Sequence, residues 1–393
     1  MSFMARAPFI EEPYRLFFPA GLVVGLYGVT LWPLWVWGGL DRYPGVVHAR
    51  LMVMGMLGAF VIGFLGTAMP RMIGVRPFGV GSVLVIGLAW VVSVSAHGLS
   101  LFWLGDLLFG TALVFLAIAF LMPFSRRSDI PPPAFILTGF GVLLGAVGSI
   151  LLAWSEGAAG GGAIYRLGRV AAHEGFLLGT LGGVGAFFFP RLWGSETRQM
   201  FPDMVRPNAA WSRQARIALW AGFGLIAGCV IDALGWVHIG SIVRLGAFGL
   251  FVASEVAASI GLRSESTLGS LVRLGLFVIP IGLILEAVVS PGRIAGVRHI
   301  VMVGGFNLIF FAVATRVIFG HSGARAETTG RMVFMRWVGG LVLTAAATRL
   351  SADLFPAVYE THLGYASVAW LAGALLWSGF VLWRVLIPDP DPE

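Results

Sequence analysis

The chain has 393 residues, of which 58% are hydrophobic and only 11% are charged. A soluble protein of this length carries roughly twice that charged fraction, so the composition excludes a water-soluble globular domain and predicts an integral membrane protein. The net charge of +7 comes from arginine alone, and in a membrane protein it indicates orientation and not nucleic-acid binding. The single cysteine excludes an internal disulfide and a cysteine-rich metal site.

Twelve apolar segments follow one another along the chain, each with about 20 residues, the length that crosses a bilayer as a helix. Turn-forming breaks such as Tyr43-Pro44-Gly45 and Pro131-Pro132-Pro133 separate them. The predicted spans are 16–37, 46–69, 79–100, 101–123, 132–154, 167–190, 211–235, 239–262, 268–289, 295–318, 331–350 and 362–386. The sequence therefore predicts an all-α integral membrane protein of about twelve transmembrane helices in one domain, residues 1–393.

Three of these spans resemble one another. Segments 55–74 and 175–194 align without a gap and end on Pro-Arg-x-x-Gly, and a looser third copy begins at Gly304. Near the start of the three runs lie His48, His173 and His299, at intervals of 125 and 126 residues. They fall on helices 2, 6 and 10, so we predict three pseudo-repeats of four helices each, roughly 1–127, 128–263 and 264–393.

The arginines are divided unevenly between the two sides of the predicted bundle. Eighteen of the 26 lie in segments on the side of the N-terminus, and eight lie on the opposite side. The positive-inside rule then places both termini in the cytoplasm.

Six of the seven histidines fall near the outer face in this topology: His48, His97, His173, His238, His299 and His362. Histidine at membrane depth is costly unless it binds a ligand or a hydrogen-bond partner, so it usually has a function. Imidazole ligates both metal ions and haem iron, and these histidines could hold a haem and a copper ion. The alternative, strongest for His97, His238 and His362 at helix ends, is a hydrogen bond to lipid headgroups or loop carbonyls.

Charged residues near the same face suggest further roles. Arg50, Arg298 and Arg349 offer planar guanidinium groups that suit haem propionates, although they could also anchor in the headgroup region. Glu174 lies in the sixth span and Glu255 deep in the eighth, where a carboxyl group could relay protons or orient a ligand. Pairing with an arginine is the structural alternative for both acids.

Several motifs resemble the NnrS family. They are Glu12-Pro13-Tyr14-Arg15-Leu16-Phe17-Phe18 at the start, His48-Ala49-Arg50-Leu51-Met52 with Gly55, Gly63-Phe64-Leu65 and Thr67-Ala68-x-Pro70 on the second helix, and His299, Gly304-Gly305, Thr315-Arg316 and Gly320-His321-Ser322-Gly323 late in the chain. The family's second helix often reads His-Ala-His-Glu-Met. Here Arg50 and Leu51 replace its second histidine and its glutamate, which removes one ligand of that form.

The resemblance implies a bacterial haem- and copper-containing protein of the inner membrane, linked to nitric oxide and denitrification. It makes His48 and His299 candidates for the metal centre, with haem b as the expected cofactor and copper as an optional second metal. The twelve-helix plan also resembles the haem–copper oxidase core, whose ligands come from helices 2, 6, 7 and 10. That core's adjacent His-His pair and its second histidine on helix 10 are absent here.

We therefore predict reduction of nitric oxide to nitrous oxide at a histidine-ligated centre near the periplasmic side. The metal ligands would be His173, His238 and His299, while His48 would pair with His299 or His362 on a haem. Quinol or a cytochrome would supply electrons, the bilayer would deliver nitric oxide, and Glu174 and Glu255 would handle protons. The alternatives are a non-catalytic haem or copper protein for nitric oxide sensing, buffering or metal transport, and a metal-free transporter.

Overall fold

The computed structural model of the chain describes residues 11–156, 162–201, 206–256, 264 and 266–390. Within them, twelve helices are long and apolar enough to cross a membrane. They are α1 Tyr14–Val36, α2 Gly45–Met72, α3 Val80–Gly98, α4 Phe102–Arg126, α5 Phe135–Ser155, α6 Ala163–Leu192, α7 Ala209–Ala233, α8 Val237–Glu255, α9 Thr267–Val288, α10 Ile294–His321, α11 Val333–Leu354 and α12 Pro356–Leu386. The prediction of an all-α membrane protein with about twelve spans is confirmed.

The boundary between the adjoining third and fourth predicted spans, 79–100 and 101–123, is a tight turn. Helix α3 ends at Gly98, and Ser100 has a φ of 63°, in the left-handed region that a non-glycine residue rarely adopts. Backbone hydrogen bonds from Ser100 to His97 and from Leu101 to Ala96 close this turn. The chain therefore reverses within a few residues although the apolar run continues almost without interruption.

Helices α2 and α6 are the most enclosed of the twelve, with 94% and 78% of their apolar stretches buried. Small residues allow this enclosure, because a Cβ atom at Gly63 would lie 3.0 Å from the Cα atom of Tyr14 on α1. On α1 itself, a Cβ atom at Gly21 would lie 2.7 Å from the Cβ atom of Ala59. Helices α1 and α2 therefore pack with their backbones close together.

Helices α2, α6 and α10 share one irregular feature. Each contains a π-helical segment beside its histidine: Leu51–Leu57 after His48, Ala171–Gly175 around His173, and Ile300–Asn307 after His299. Such wide turns are rare in helices and occur often at functional sites. The three helices thus have the same local distortion where their sequences are related, while the division of the chain into three repeat units stays a prediction.

Candidate functional site

A cavity of about 360 Å³ opens among α1, α2, α6, α10, α11 and α12. Apolar and aromatic side chains such as Val29, Trp32, Met52 and Trp370 form much of its wall. The charged and imidazole side chains that line it are His48, Arg169, His173, Glu174, Arg298, His299 and Arg349. The cavity therefore brings the three histidines of the related helices together in one place.

His48 and His299 face each other across this cavity. Their ring centroids are 6.2 Å apart and their planes differ by only 10°. The Nδ1 atom of His48 lies 3.0 Å from the carbonyl oxygen of Gly28, and that of His299 lies 2.7 Å from the carbonyl oxygen of Ala295. A carbonyl can only accept, so each Nδ1 donates a proton and each Nε2 keeps a free lone pair.

This arrangement fits two imidazoles bound to one metal ion. An imidazole nitrogen lies about 2 Å from its metal, so opposite ligation of one ion would separate the two ring centroids by about 6 Å. A hydrogen bond from the second ring nitrogen to a backbone carbonyl commonly fixes the orientation of a ligating histidine. The His48–His299 pair meets both conditions, and the wall of the cavity is mostly apolar, as a haem pocket requires.

His173 contributes a third imidazole to the same cavity. Its Nε2 atom is buried and has no hydrogen-bond partner among the described residues. Buried polar atoms are nearly always paired in proteins, because an unpaired one costs about 1–3 kcal/mol. An imidazole nitrogen in this state is suited to bind a ligand that the protein itself does not supply.

Next to the cavity lies a buried cluster of three acids and two arginines: Glu174, Asp232, Arg244, Glu286 and Arg298. The Glu174 carboxylate lies 2.9 Å from Nε of Arg298 and 3.0 Å from Nη2 of Arg244. Arg244 also contacts Asp232 at 3.1 Å, and Arg298 contacts Glu286 at 2.7 Å. Glu174 is therefore held in ion pairs, the structural alternative considered for it. Its role in proton transfer stays a prediction.

Glu255 lies away from the cavity. We expected it deep in the eighth span, but α8 ends at Glu255 itself, and positions 257–262 of that predicted span lie outside the described residues. Its carboxylate accepts a hydrogen bond of 2.7 Å from Nε2 of Gln199, which precedes α7. The expected depth was wrong because burial of Glu255 comes from a packed connecting segment at the helix end.

Arg50 pairs with an acid that the sequence analysis had not singled out. It makes a two-pronged ion pair with Asp106 on α4, with Nε–Oδ1 and Nη2–Oδ2 distances of 2.8 Å. His97 completes the triad through Nε2, 3.0 Å from Asp106 Oδ1. Neither Arg50 nor His97 lines the cavity. The signal that could have revealed this triad is Asp106 itself, a charged residue in an otherwise apolar span.

Two of the predicted ligands also lie outside the cavity wall. His238 is exposed, with Nδ1 3.3 Å from the carbonyl oxygen of Glu286. His362 is half-buried, with Nδ1 2.8 Å from the hydroxyl of Ser351. His238 thus contacts a carbonyl, as in the alternative considered for it, while the partner of His362 is a serine hydroxyl, and their roles as ligands stay predictions. Of the two partners predicted for His48, the structure places His299 beside it.

The arginines of the cavity differ in their partners. Arg298 is paired with acids, whereas Arg349 contacts Asp353 at 2.8 Å through Nη1 and leaves its Nε buried without a partner. The sequence reasoning missed Arg169, which stands four residues before His173 on the same face of α6. That spacing was the available signal, because an arginine so placed must enter the same cavity.

A second, small cavity of about 40 Å³ lies beside α1, α2, α6 and α10, deeper in the bundle. Phenylalanine and aliphatic side chains form nearly all of its wall. Its one hydroxyl group, that of Thr180, donates to the carbonyl oxygen of Phe176 in its own helix. Such a cavity stays dry and has room only for a small apolar molecule.

At the other end of α10, His321 belongs to a separate charged cluster with Glu12, Arg15, Arg71 and Asp389. His321 Nδ1 lies 2.6 Å from Glu12 Oε1 and 2.9 Å from Asp389 Oδ2. Among the described residues, these three form the only group of three or more potential metal ligands close enough to hold one ion. Arg71 already contacts Glu12 at 2.7 Å, and Arg15 contacts it at 2.6 Å. The cluster is therefore a neutralised ion network that joins the two ends of the chain.

The carboxyl group of Glu12 titrates differently from a free one. Burial raises its pKa, but the hydrogen bond and charge of His321 and those of Arg15 outweigh burial, and the pKa falls to about 2. Glu12 thus stays ionised at all ordinary pH values.

The arrangement of the helices places the protein among known membrane folds. It is similar to the cryo-EM structure of a heme-copper terminal oxidase dimer, with a TM-score of 0.62 and 13% sequence identity over 98% of this chain and 85% of that chain. At this identity the likeness defines the fold class alone: a twelve-helix membrane bundle of the heme-copper oxidase type.

The sequence defines the family. The model of the NnrS family, described as NnrS protein, matches residues 8–388, and the chain therefore belongs to the NnrS family. This result confirms the resemblance seen in the motifs around Glu12, His48 and His321. No curated protein matches the sequence.

Proposed function

We propose that this member of the NnrS family is a haem-binding membrane protein of nitric oxide metabolism, with His48 and His299 as the two ligands of the haem iron. The observation that carries the proposal is the pair of near-parallel imidazoles with centroids 6.2 Å apart, each with Nδ1 on a backbone carbonyl. Family membership and the oxidase-like fold support haem, copper and nitric oxide as the relevant chemistry.

Two protein ligands on one haem determine what that haem supplies. A haem held by His48 and His299 would supply one-electron chemistry. The residues around it have matching roles. The carbonyl groups of Gly28 and Ala295 orient the two imidazoles, and Trp32, whose ring centroid is 5.6 Å from that of His48, packs on the pair. Electron transfer is thus the activity that the His48–His299 pair supports best.

Reduction of nitric oxide to nitrous oxide is the second candidate function, favoured by the buried, unpartnered Nε2 atom of His173. The reaction joins two nitric oxide molecules with two electrons and two protons to give nitrous oxide and water. Quinol or a cytochrome would donate the electrons, and Glu174 would carry protons. His173 would hold a second metal ion, copper being the candidate, since imidazole suits it.

We place this chemistry in a bacterial inner membrane, with both termini in the cytoplasm and the cavity at the periplasmic end. The arginine distribution supports this orientation. The small apolar cavity next to helices α2, α6 and α10 supports entry of a small apolar gas from the bilayer. If the protein catalyses no reaction, the same site serves nitric oxide sensing, buffering or metal transport.

The test is an optical spectrum and a metal assay on full-length protein purified from a host supplied with haem and copper. We expect a haem spectrum of the two-histidine type in the wild type, and loss of haem in His48→Ala and His299→Ala. His362→Ala, which alters a histidine outside the cavity wall, is the matched control and should keep the haem. A wild-type protein without haem would refute the proposal.

Nitric oxide consumption with an artificial electron donor separates the two functions. Consumption that ends in nitrous oxide and is lost in His173→Ala, with haem content unchanged, would support the reductase. A haem-loaded protein that consumes no nitric oxide would leave electron transfer or sensing as its role.

A further inference from the structure

Arg169 is a positively charged side chain that lines the cavity without a partner. Within the described part of the chain it makes no hydrogen bond and no ion pair. Its position four residues before His173 on α6 directs both side chains to the same cavity. Its guanidinium group has five N–H donors in a planar fork, and no described residue accepts a hydrogen bond from them.

The other arginines of this region are occupied. Arg50 is bound by Asp106, and Arg298 is bound by Glu174 and Glu286. Arg349 is intermediate, because Nη1 contacts Asp353 while Nε, on a side chain only 9% exposed, has no partner. Among the described residues, Arg169 and Arg349 therefore have guanidinium donors left for a ligand.

Guanidinium donors that have no hydrogen-bond partner in a mostly apolar cavity are energetically costly, so they indicate a site for an anion. Charge balance at a distance does not remove this cost, since the Glu174 cluster can offset the charge of Arg169 but cannot accept its hydrogen bonds. A planar fork matches a carboxylate best, with two parallel N–H···O bonds. The anion should therefore carry carboxylate groups and lie in the cavity beside His48, His173 and His299.

We propose that Arg169 and Arg349 bind the two propionate carboxylates of the haem, an inference that rests on the proposed haem site. Arg169 then has the role that we predicted from the sequence for Arg50 and Arg298. Arg169 on α6 and Arg349 on α11 would hold the carboxylates, while His48 on α2 and His299 on α10 would hold the iron.

The test compares haem with its dimethyl ester, in which both carboxylates are blocked. Full-length protein from a haem-deficient host is titrated in detergent with iron protoporphyrin IX or with the ester, and binding is followed by absorbance. Variants Arg169→Gln and Arg169→Lys are compared with Arg166→Gln. Arg166 lies one turn earlier on α6, outside the cavity wall, and its Nε donates to the carbonyl oxygen of Ala233.

The wild type should bind haem at least about tenfold more tightly than the ester, the difference expected for one charge-assisted hydrogen bond. Arg169→Gln should reduce that preference, since Arg349 still holds one carboxylate, and should lower the midpoint potential of the haem, because a nearby positive charge is removed. Arg169→Lys should keep much of the potential but lose part of the preference, since it lacks the fork. Arg166→Gln should match the wild type.

Equal binding of haem and ester by the wild type, or an unchanged preference and potential in Arg169→Gln, would overturn the inference. Arg169 would then serve only to balance the charge of the Glu174 cluster. A wild type that binds neither compound would instead refute the haem site itself, so the two failures are distinguishable. Circular dichroism of each variant identifies any loss of folding.

Discussion

The two ends of α10 carry histidines in opposite chemical states. His299 lies near its start, with one ring nitrogen on a backbone carbonyl and the other free toward a cavity. His321 lies at its end, 22 residues and about 33 Å of helix away, with Nδ1 between the carboxylates of Glu12 and Asp389. An imidazole with one nitrogen anchored and one free is prepared for a ligand that the chain does not supply. An imidazole between neutralised ions already has its partners.

The largest expected effect follows directly from this contrast. His299→Ala should remove the haem, because one of its two ligands is lost, whereas His321→Ala should retain it. Haem content per mole of purified protein is the measurement, with folding checked by gel filtration. Haem loss in His321→Ala together with retention in His299→Ala would reverse the roles assigned to the two ends.

The next effect concerns the buried charged cluster beside the cavity. Arg244 is completely buried between Glu174, Asp232 and Glu286. Replacement by leucine leaves these carboxylates without a cation, and removal of one partner of a buried pair costs about 3–5 kcal/mol. We expect a loss of this size in the free energy of unfolding of Arg244→Leu in detergent. Arg293→Leu, at an exposed site on the same side, should change it little.

A smaller effect, with a definite pH dependence, is expected at the His321 end. The pKa of Glu12 is lowered from 4.5 to about 2, so its unfolded form binds a proton more readily than its folded form. The stabilisation is fully present above pH 4.5 and is lost as the pH falls through about 2. Glu12→Gln should therefore reduce the unfolding free energy at pH 7 by about 2–3 kcal/mol.

The pH profile of the same variant supplies the check. The difference between wild type and Glu12→Gln should shrink steadily between pH 4.5 and pH 2. Glu327→Gln is the control, because Glu327 is exposed and pairs with Arg384 at the surface. A difference that stays constant down to pH 2 would contradict the ionised network around Glu12.

The sequence could predict the features that depend on composition and on the spacing of residues along the chain. Twelve spans follow from the length of apolar runs, and the convergence of His48, His173 and His299 follows from their related helices. Partners inside the bundle depend on how helices rotate against each other, which the sequence alone does not reveal. The π-helical turns of α2, α6 and α10 change that rotation locally. For this reason the pairing of Arg50 with Asp106 and the position of Arg169 in the cavity wall appeared only in the structure.

The smallest expected effect tests whether a histidine near the cavity must lie in its wall to act as a ligand. We predicted His238 as a metal ligand because it falls at the end of one of the helices that carry ligands in the haem–copper oxidase core, yet it is exposed and Nδ1 lies 3.3 Å from a carbonyl oxygen. His238→Ala should leave haem and copper content unchanged and alter the unfolding free energy by less than about 0.5 kcal/mol, as is usual for surface positions. Metal analysis beside His173→Ala makes the comparison direct. If His238→Ala loses metal, helix ends outside the cavity belong to the metal centre, and the contrast between anchored and free imidazoles no longer identifies the ligands.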